Sequence, residues 1–233
     1  NTPFAAVIFV MEVVLREYKI HIFVPIMLAA ACGSVLTRIV FGEVNELSFL
    51  SFNAFSQWMY FYLVLLGVLL GMLAVLFNSQ LMRVMTWFRP VSMVWRLVLA
   101  ALITGTIGMF IPEALGANFI DGEHLFDSSP GALLLVSTLI FKVILAVFAI
   151  GLGIPGGIIG PVMVIGMLAG AVLLLPLSYF INVPEFTNSF ALLGIAGMLT
   201  AVLHAPLAAL SAVMELSYSP QIILPAMLVI VPA

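Results

Sequence analysis

The chain has 233 residues, of which 64% are hydrophobic and only 7% are charged, and its mean hydropathy is +1.32. This composition excludes a soluble domain, and the net charge of −3 without a basic patch gives no sign of a nucleic-acid partner. The sequence lacks the alternating ten-residue strands of an outer-membrane barrel, so we expect an all-α polytopic protein in a lipid bilayer.

Apolar runs separated by charged or Gly/Pro-rich links predict eight membrane segments. Several of these segments are shorter than the ~20 residues that a helix needs to cross a bilayer. Short and interrupted segments are typical of transporters built from broken and half-crossing helices. In chain order the predicted segments are 20–41, 57–78, 92–111, 132–152, 158–180, 189–203, 205–217 and 219–233.

Charged side chains fall mostly between these segments and alternate in sign along the chain. Because cytoplasmic links of membrane proteins carry the excess of Lys and Arg, we predict that links 15–19 and 80–91 are cytoplasmic. Links 42–56, 112–131 and 181–188 are then predicted to lie on the opposite side of the membrane.

The two ends of the chain carry similar segments. Residues 1–12 and 204–215 align without gaps, and both segments have a proline in third place and a glutamate at the end. Internal repeats are typical of transporters whose site lies between the repeats. We expect Glu215 to lie at the cytoplasmic end of its helix, like its counterpart Glu12. The identical pairs are Pro3/Pro206, Ala5/Ala208, Ala6/Ala209, Val10/Val213, Met11/Met214 and Glu12/Glu215.

A helix-breaking stretch at residues 151–161 interrupts the apolar sequence. It reads Gly-Leu-Gly-Ile-Pro-Gly-Gly-Ile-Ile-Gly-Pro, and such a density of glycine and proline cannot continue a helix. A helix that restarts at membrane depth presents unpaired N–H groups and the positive end of its dipole, which together favour an anion. An ordinary tight turn between two spans is the alternative interpretation.

Several elements in order resemble the CLC family of chloride channels and transporters. Residues 156–161, Gly-Gly-Ile-Ile-Gly-Pro, resemble the family's Gly-x-Phe-x-Pro signature, with isoleucine where phenylalanine is usual. The repeated segments resemble its paired helices from two inverted halves, and residues 194–201 and 221–225 match its late helices. The resemblance implies a CLC-type inverted-repeat bundle, of which residues 1–233 form a partial transmembrane domain: the tail of the first half and most of the second. The family's gating glutamate and pore tyrosine would lie outside this chain.

The same resemblance implies an anion site at the break. The backbone N–H groups of Ile158 and Ile159 would bind chloride, and Gly157 would permit a sharp turn. Pro161 is expected to shape the first turn of the helix rather than to touch the ion. The residues expected to shape the anion loop are Gly156, Gly157, Gly160 and Pro161.

Two positions bear on proton coupling. Proton-coupled members of the family carry an acid where this chain has Val13, and valine cannot carry a proton. This difference favours the channel branch. Glu12 is one residue away and is a candidate proton path, because intramembrane acids are often functional. Alternatively, Glu12 is solvated or paired with Arg16 one helical turn away.

Two further features are open to structural explanations. Lys142 lies inside an apolar span, where it is expected to snorkel towards the membrane surface or to pair with a buried acid. The spacing Gly166-x-x-x-Gly170 suits close packing of two helices.

We therefore predict transport of chloride or similar small anions by a voltage-gated-type chloride channel. The alternative is a chloride/proton antiporter, and a more remote one is another inverted-repeat, ion-coupled secondary transporter. The sequence has no nucleophile motif or paired intramembrane acids, so we expect no enzyme, no catalytic residue, no metal site and no cofactor besides the transported chloride.

The resemblance also implies a homodimer in the bilayer of the bacterial inner membrane. Its contact surface is predicted on segments 3–14, 20–41, 205–217 and 219–233.

Overall fold

The computed structural model describes residues 2–42, 52–53, 55–115, 132–179 and 183–233. In this part of the chain every regular element is a helix, as the composition predicts, and the fold is an all-α polytopic bundle. The α-helices are α1 (Pro3–Phe9), α2 (Ile20–Phe41), α3 (Met59–Phe88), α4 (Met93–Phe110), α5 (Ala132–Gly151), α6 (Ile159–Leu174), α7 (Val183–Leu203), α8 (Pro206–Ser217) and α9 (Ile223–Ile230).

Within the described ranges, six helices are long and apolar enough to cross a membrane. The predicted bounds of α2 agree with the structure, whereas α3 continues from the predicted end at residue 78 to Phe88. The polar residues in this last part of α3, such as Gln80 and Arg83, are good helix formers, so they do not end the helix. Helix α7 begins at Val183 instead of residue 189, and Pro184 is tolerated there because it lies in the first turn.

Helix α7 lies at the centre of the bundle, and α3, α6, α8 and α9 pack around it. Every residue from Ser189 to Thr200 is buried. At the periphery, none of the residues of α2 is buried. The core therefore sits around the helix that follows the candidate anion helix α6, and α6 is fixed in place by its packing against α7.

Glycines bring α6 and α7 into backbone contact. A Cβ atom added at Gly170 would overlap the carbonyl oxygen of Phe190, and one at Gly194 would lie 2.9 Å from Cα of Gly170. The prediction of close packing at the Gly166/Gly170 spacing is thereby confirmed, and Gly194 of α7 is its partner. Only glycine allows this approach, since any side chain would separate the two backbones.

Candidate anion site

Helix α5 ends in a glycine-dependent cap that turns the chain towards the site. Gly153 has a φ of +86°, a conformation that glycine adopts without strain. The N–H of Ile154 donates to the carbonyl of Ala149 at 3.1 Å, and that of Gly153 donates to Ile150 at 3.0 Å. This pair of hydrogen bonds is a Schellman motif, which satisfies the last carbonyl groups of α5.

Helix α6 then starts at Ile159, at the end of the predicted break. Its first turn is closed by the N–H of Val162, which donates to the carbonyl of Ile158 at 3.1 Å. Among the described residues, the N–H groups of Ile158 and Ile159 have no hydrogen-bond acceptor. The structure therefore places the two N–H groups that we assigned to the anion at the start of a long helix, unpaired and at the positive end of its dipole.

The three loop glycines are exposed rather than enclosed. A Cβ atom at Gly156, Gly157 or Gly160 would meet nothing within 4 Å in the described chain. A positive φ occurs at Gly153, where the chain turns at the end of α5, and Gly157 does not have one. Pro161 lies in the first turn of α6, as predicted, where a missing N–H costs no helical hydrogen bond.

Two cavities lie beside the start of α6. One, of about 290 Å³, is lined by Ile159 and Met163 and by small apolar residues of α1 and α8. The other, of about 240 Å³, is lined by Gly160, Pro161 and Lys142, among others. The start of the helix is thus open on both flanks rather than packed in the core.

Lys142 is buried, with 7% of its surface exposed. The prediction that it snorkels to the membrane surface is therefore wrong. Its Nζ atom donates a hydrogen bond of 3.0 Å to the carbonyl oxygen of Ala114. The Lys142 side chain therefore lies in the wall of the smaller cavity, beside Gly160 and Pro161 at the start of α6.

Glu12 and Glu215 have partners that the sequence did not indicate. The Glu12 carboxylate accepts hydrogen bonds from the N–H groups of Leu207 (3.1 Å) and Ala208 (2.7 Å), at the start of α8. The Glu215 carboxylate accepts the corresponding bonds from Phe4 (3.1 Å) and Ala5 (2.8 Å), at the start of α1. Each glutamate thus caps the helix of the other.

These bonds correct two expectations. No ion pair joins Glu12 to Arg16 among the described residues, and Glu12 is half-buried instead of solvated. Because each glutamate lies at the end of its own helix and at the start of the other, α1 and α8 run antiparallel. Glu12 and Glu215 therefore lie at opposite ends of the pair, and not both at a cytoplasmic end.

The pairing also contains one irregularity. Residues Val10–Leu15, which follow α1, form a π-helix and end at Arg16 with a φ of 54°, whereas α8 is regular and ends at Tyr218 with a φ of 50°. Three residues separate Glu12 from Arg16, but two separate Glu215 from Tyr218. One inserted residue explains the π-helix, since such bulges accommodate an extra residue within a helix.

Known proteins match this chain along its length. The family model described as "Voltage gated chloride channel" matches residues 1–233. Proteins from Salmonella newport (strain SL254) and Salmonella agona (strain SL483), both named "H(+)/Cl(-) exchange transporter ClcA", are 26% identical over 97% of this chain and 50% of their own length. The chain therefore spans about half the length of the curated relatives that it matches.

Proposed function

Since this chain belongs to the voltage gated chloride channel family, we propose that its parent protein moves chloride or similar small anions across the membrane in exchange for protons. The described helices and the bacterial relatives identify the chain as a multi-pass integral protein of the inner membrane. The observation that carries the anion assignment is the pair of unpaired N–H groups, on Ile158 and Ile159, at the start of α6.

These N–H groups suit a transported anion because they carry partial charges. Partial charges attract chloride without holding it as a full positive charge would, and rapid transport requires that the ion can also leave. In our proposal Gly156 and Gly157 keep the approach to the site open, since a Cβ atom at either position would meet no described atom within 4 Å apart from its chain neighbours. We further propose that Lys142, in its protonated form, adds positive potential from the neighbouring cavity.

Exchange with protons is supported by the names of the relatives, which are exchange transporters. A passive chloride channel is the second candidate, and Val13 favours it because its side chain cannot carry a proton. If exchange takes place, the proton must pass by a route that does not use residue 13.

The test is a transport assay with the full-length protein in lipid vesicles. We expect an outward chloride gradient to drive protons against their own gradient, with the two fluxes in a fixed ratio. Chloride flux without proton movement would support the channel instead. Vesicles in which neither chloride nor another small anion moves would contradict the proposal of anion transport.

We also propose that the parent protein is a homodimer that uses the surface of α2. This helix is strongly apolar, and none of its residues is fully buried against the rest of the described chain, so a second copy can cover its exposed face. We expect subunit counting by single-molecule photobleaching in bilayers to find two copies of the full-length protein. A distribution of single copies at the same lipid dilution would contradict the dimer.

A further inference from the structure

Glu12 and Glu215 cap each other's helices, so the two caps link α1 and α8 at both ends of the pair. Pro3 and Pro206 each open a helix, and the next two N–H groups of each helix have no acceptor within it. In both cases these two N–H groups bind the two oxygens of one carboxylate from the other helix. Charge-assisted bonds of this kind are stronger than bonds between neutral groups, so each helix end is held by its partner.

The same helices form a wall of the larger cavity beside the candidate anion site. Ala5 and Ala208, whose N–H groups bind the glutamates, both line this cavity, and Ile159 lines it from α6. The carboxylates therefore hold the backbone of the wall itself. A change in the spacing of α1 and α8 would change the space beside Ile159.

We propose that Glu12 and Glu215 are a matched pair of positioning residues that fix α1 and α8 as a rigid wall beside the anion site. Glu12 is then a helix cap and not a proton carrier, because a proton on either carboxylate oxygen would weaken the charge-assisted bonds that hold α8. The role at the site rests on the proposed anion transport, whereas the crosswise capping does not.

Hydrogen–deuterium exchange in the full-length protein tests the capping directly. Glu12→Gln is expected to raise exchange about tenfold at Leu207 and Ala208, in α8, because one of two charge-assisted bonds is lost. Glu215→Gln is expected to do the same at Phe4 and Ala5, in α1. Glu17→Gln is the matched control, since Glu17 is exposed and its ion pair within the described ranges is a local one with Lys19, at 2.6 Å. Should a glutamine variant not fold, the aspartate variant at the same position makes the same prediction.

Increased exchange confined to the substituted residue's own helix, or no increase in either variant, would overturn the capping. This measurement needs no transport, so it decides on the pair even if the parent protein moves no anion and the proposed function fails.

Transport by the same variants tests the positioning role. We expect Glu12→Gln and Glu215→Gln to lower chloride flux by similar factors and to alter the preference between chloride and thiocyanate. The ratio of protons to chloride is expected to stay at the value of the unsubstituted protein in both variants. Loss of proton movement in Glu12→Gln alone, with chloride flux retained, would show that Glu12 carries the proton and overturn the proposal.

Discussion

Gly170→Ala is expected to destabilise the protein by at least about 3 kcal/mol, the upper part of the usual range for overpacking. The added methyl group would overlap the carbonyl oxygen of Phe190, and a backbone atom cannot rotate away as a side chain can. Because α7 is the centre of the core, separating it from α6 also disturbs the packing of the other helices. The measurement is the free energy of unfolding of the full-length protein in detergent.

Gly105→Ala is the matched control for this substitution. Gly105 also lies within a helix, α4, but a Cβ atom there would meet nothing within 4 Å in the described chain. Alanine is a better helix former than glycine by about 1 kcal/mol, so this variant is expected to be as stable as the original protein or more stable. Equal destabilisation by both variants would show that the backbone contact between α6 and α7 is not the cause.

Replacing the amide of Ile159 by an ester is expected to weaken chloride binding about ten- to a hundredfold, because one hydrogen bond to a charged ligand is lost. The ester removes the N–H donor and leaves the side chain and the shape of the backbone nearly unchanged. This N–H has no acceptor among the described residues, so its loss does not remove a bond that holds α6. Chloride affinity is measured by calorimetry on the full-length protein.

An ester at Val162 provides the comparison, since its N–H is already paired with the carbonyl of Ile158. We expect that ester to lower stability slightly and to leave chloride affinity within about twofold, as the lost bond is between neutral groups. An unchanged chloride affinity in the Ile159 ester would show that the N–H group of Ile159 does not bind the anion. A similar loss in both esters would indicate a general disturbance of the helix.

Local features of the sequence predicted the helices and the break well. The apolar run of α2 and the Gly/Pro-rich stretch before Ile159 act over short distances, so their bounds follow from residue preferences alone. The end of α3 was missed because polar residues with a high helix propensity can continue a helix beyond its apolar part. The glycine contact between α6 and α7 was recognisable from its spacing, although its partner Gly194 was not.

The tertiary partners of the charged residues were not predictable in the same way. Arg16 was considered as the partner of Glu12 because the two are near in sequence. The partners in the structure, Leu207 and Ala208, are about two hundred residues away. Its partners are backbone N–H groups, which every residue except proline has, so no residue type identifies them. The one available signal was the repeat itself: a proline at the start of each segment and a glutamate at its end are what two antiparallel helices need to cap each other.

The π-helix after α1 has a consequence for how the two repeated segments can diverge in sequence over evolutionary time. An inserted residue in a regular helix turns all that follows by about 100°, yet here the capping glutamates keep equivalent positions in both segments. The wider turn absorbs the insertion locally, so one copy changes length while its antiparallel mate needs no compensating change. Residues within the π-helix, such as Val13, therefore need not match their counterparts in the regular helix α8. One of two repeated segments can therefore acquire a different role while the other does not, because the glutamate caps that both segments share are unaffected by the residues that vary.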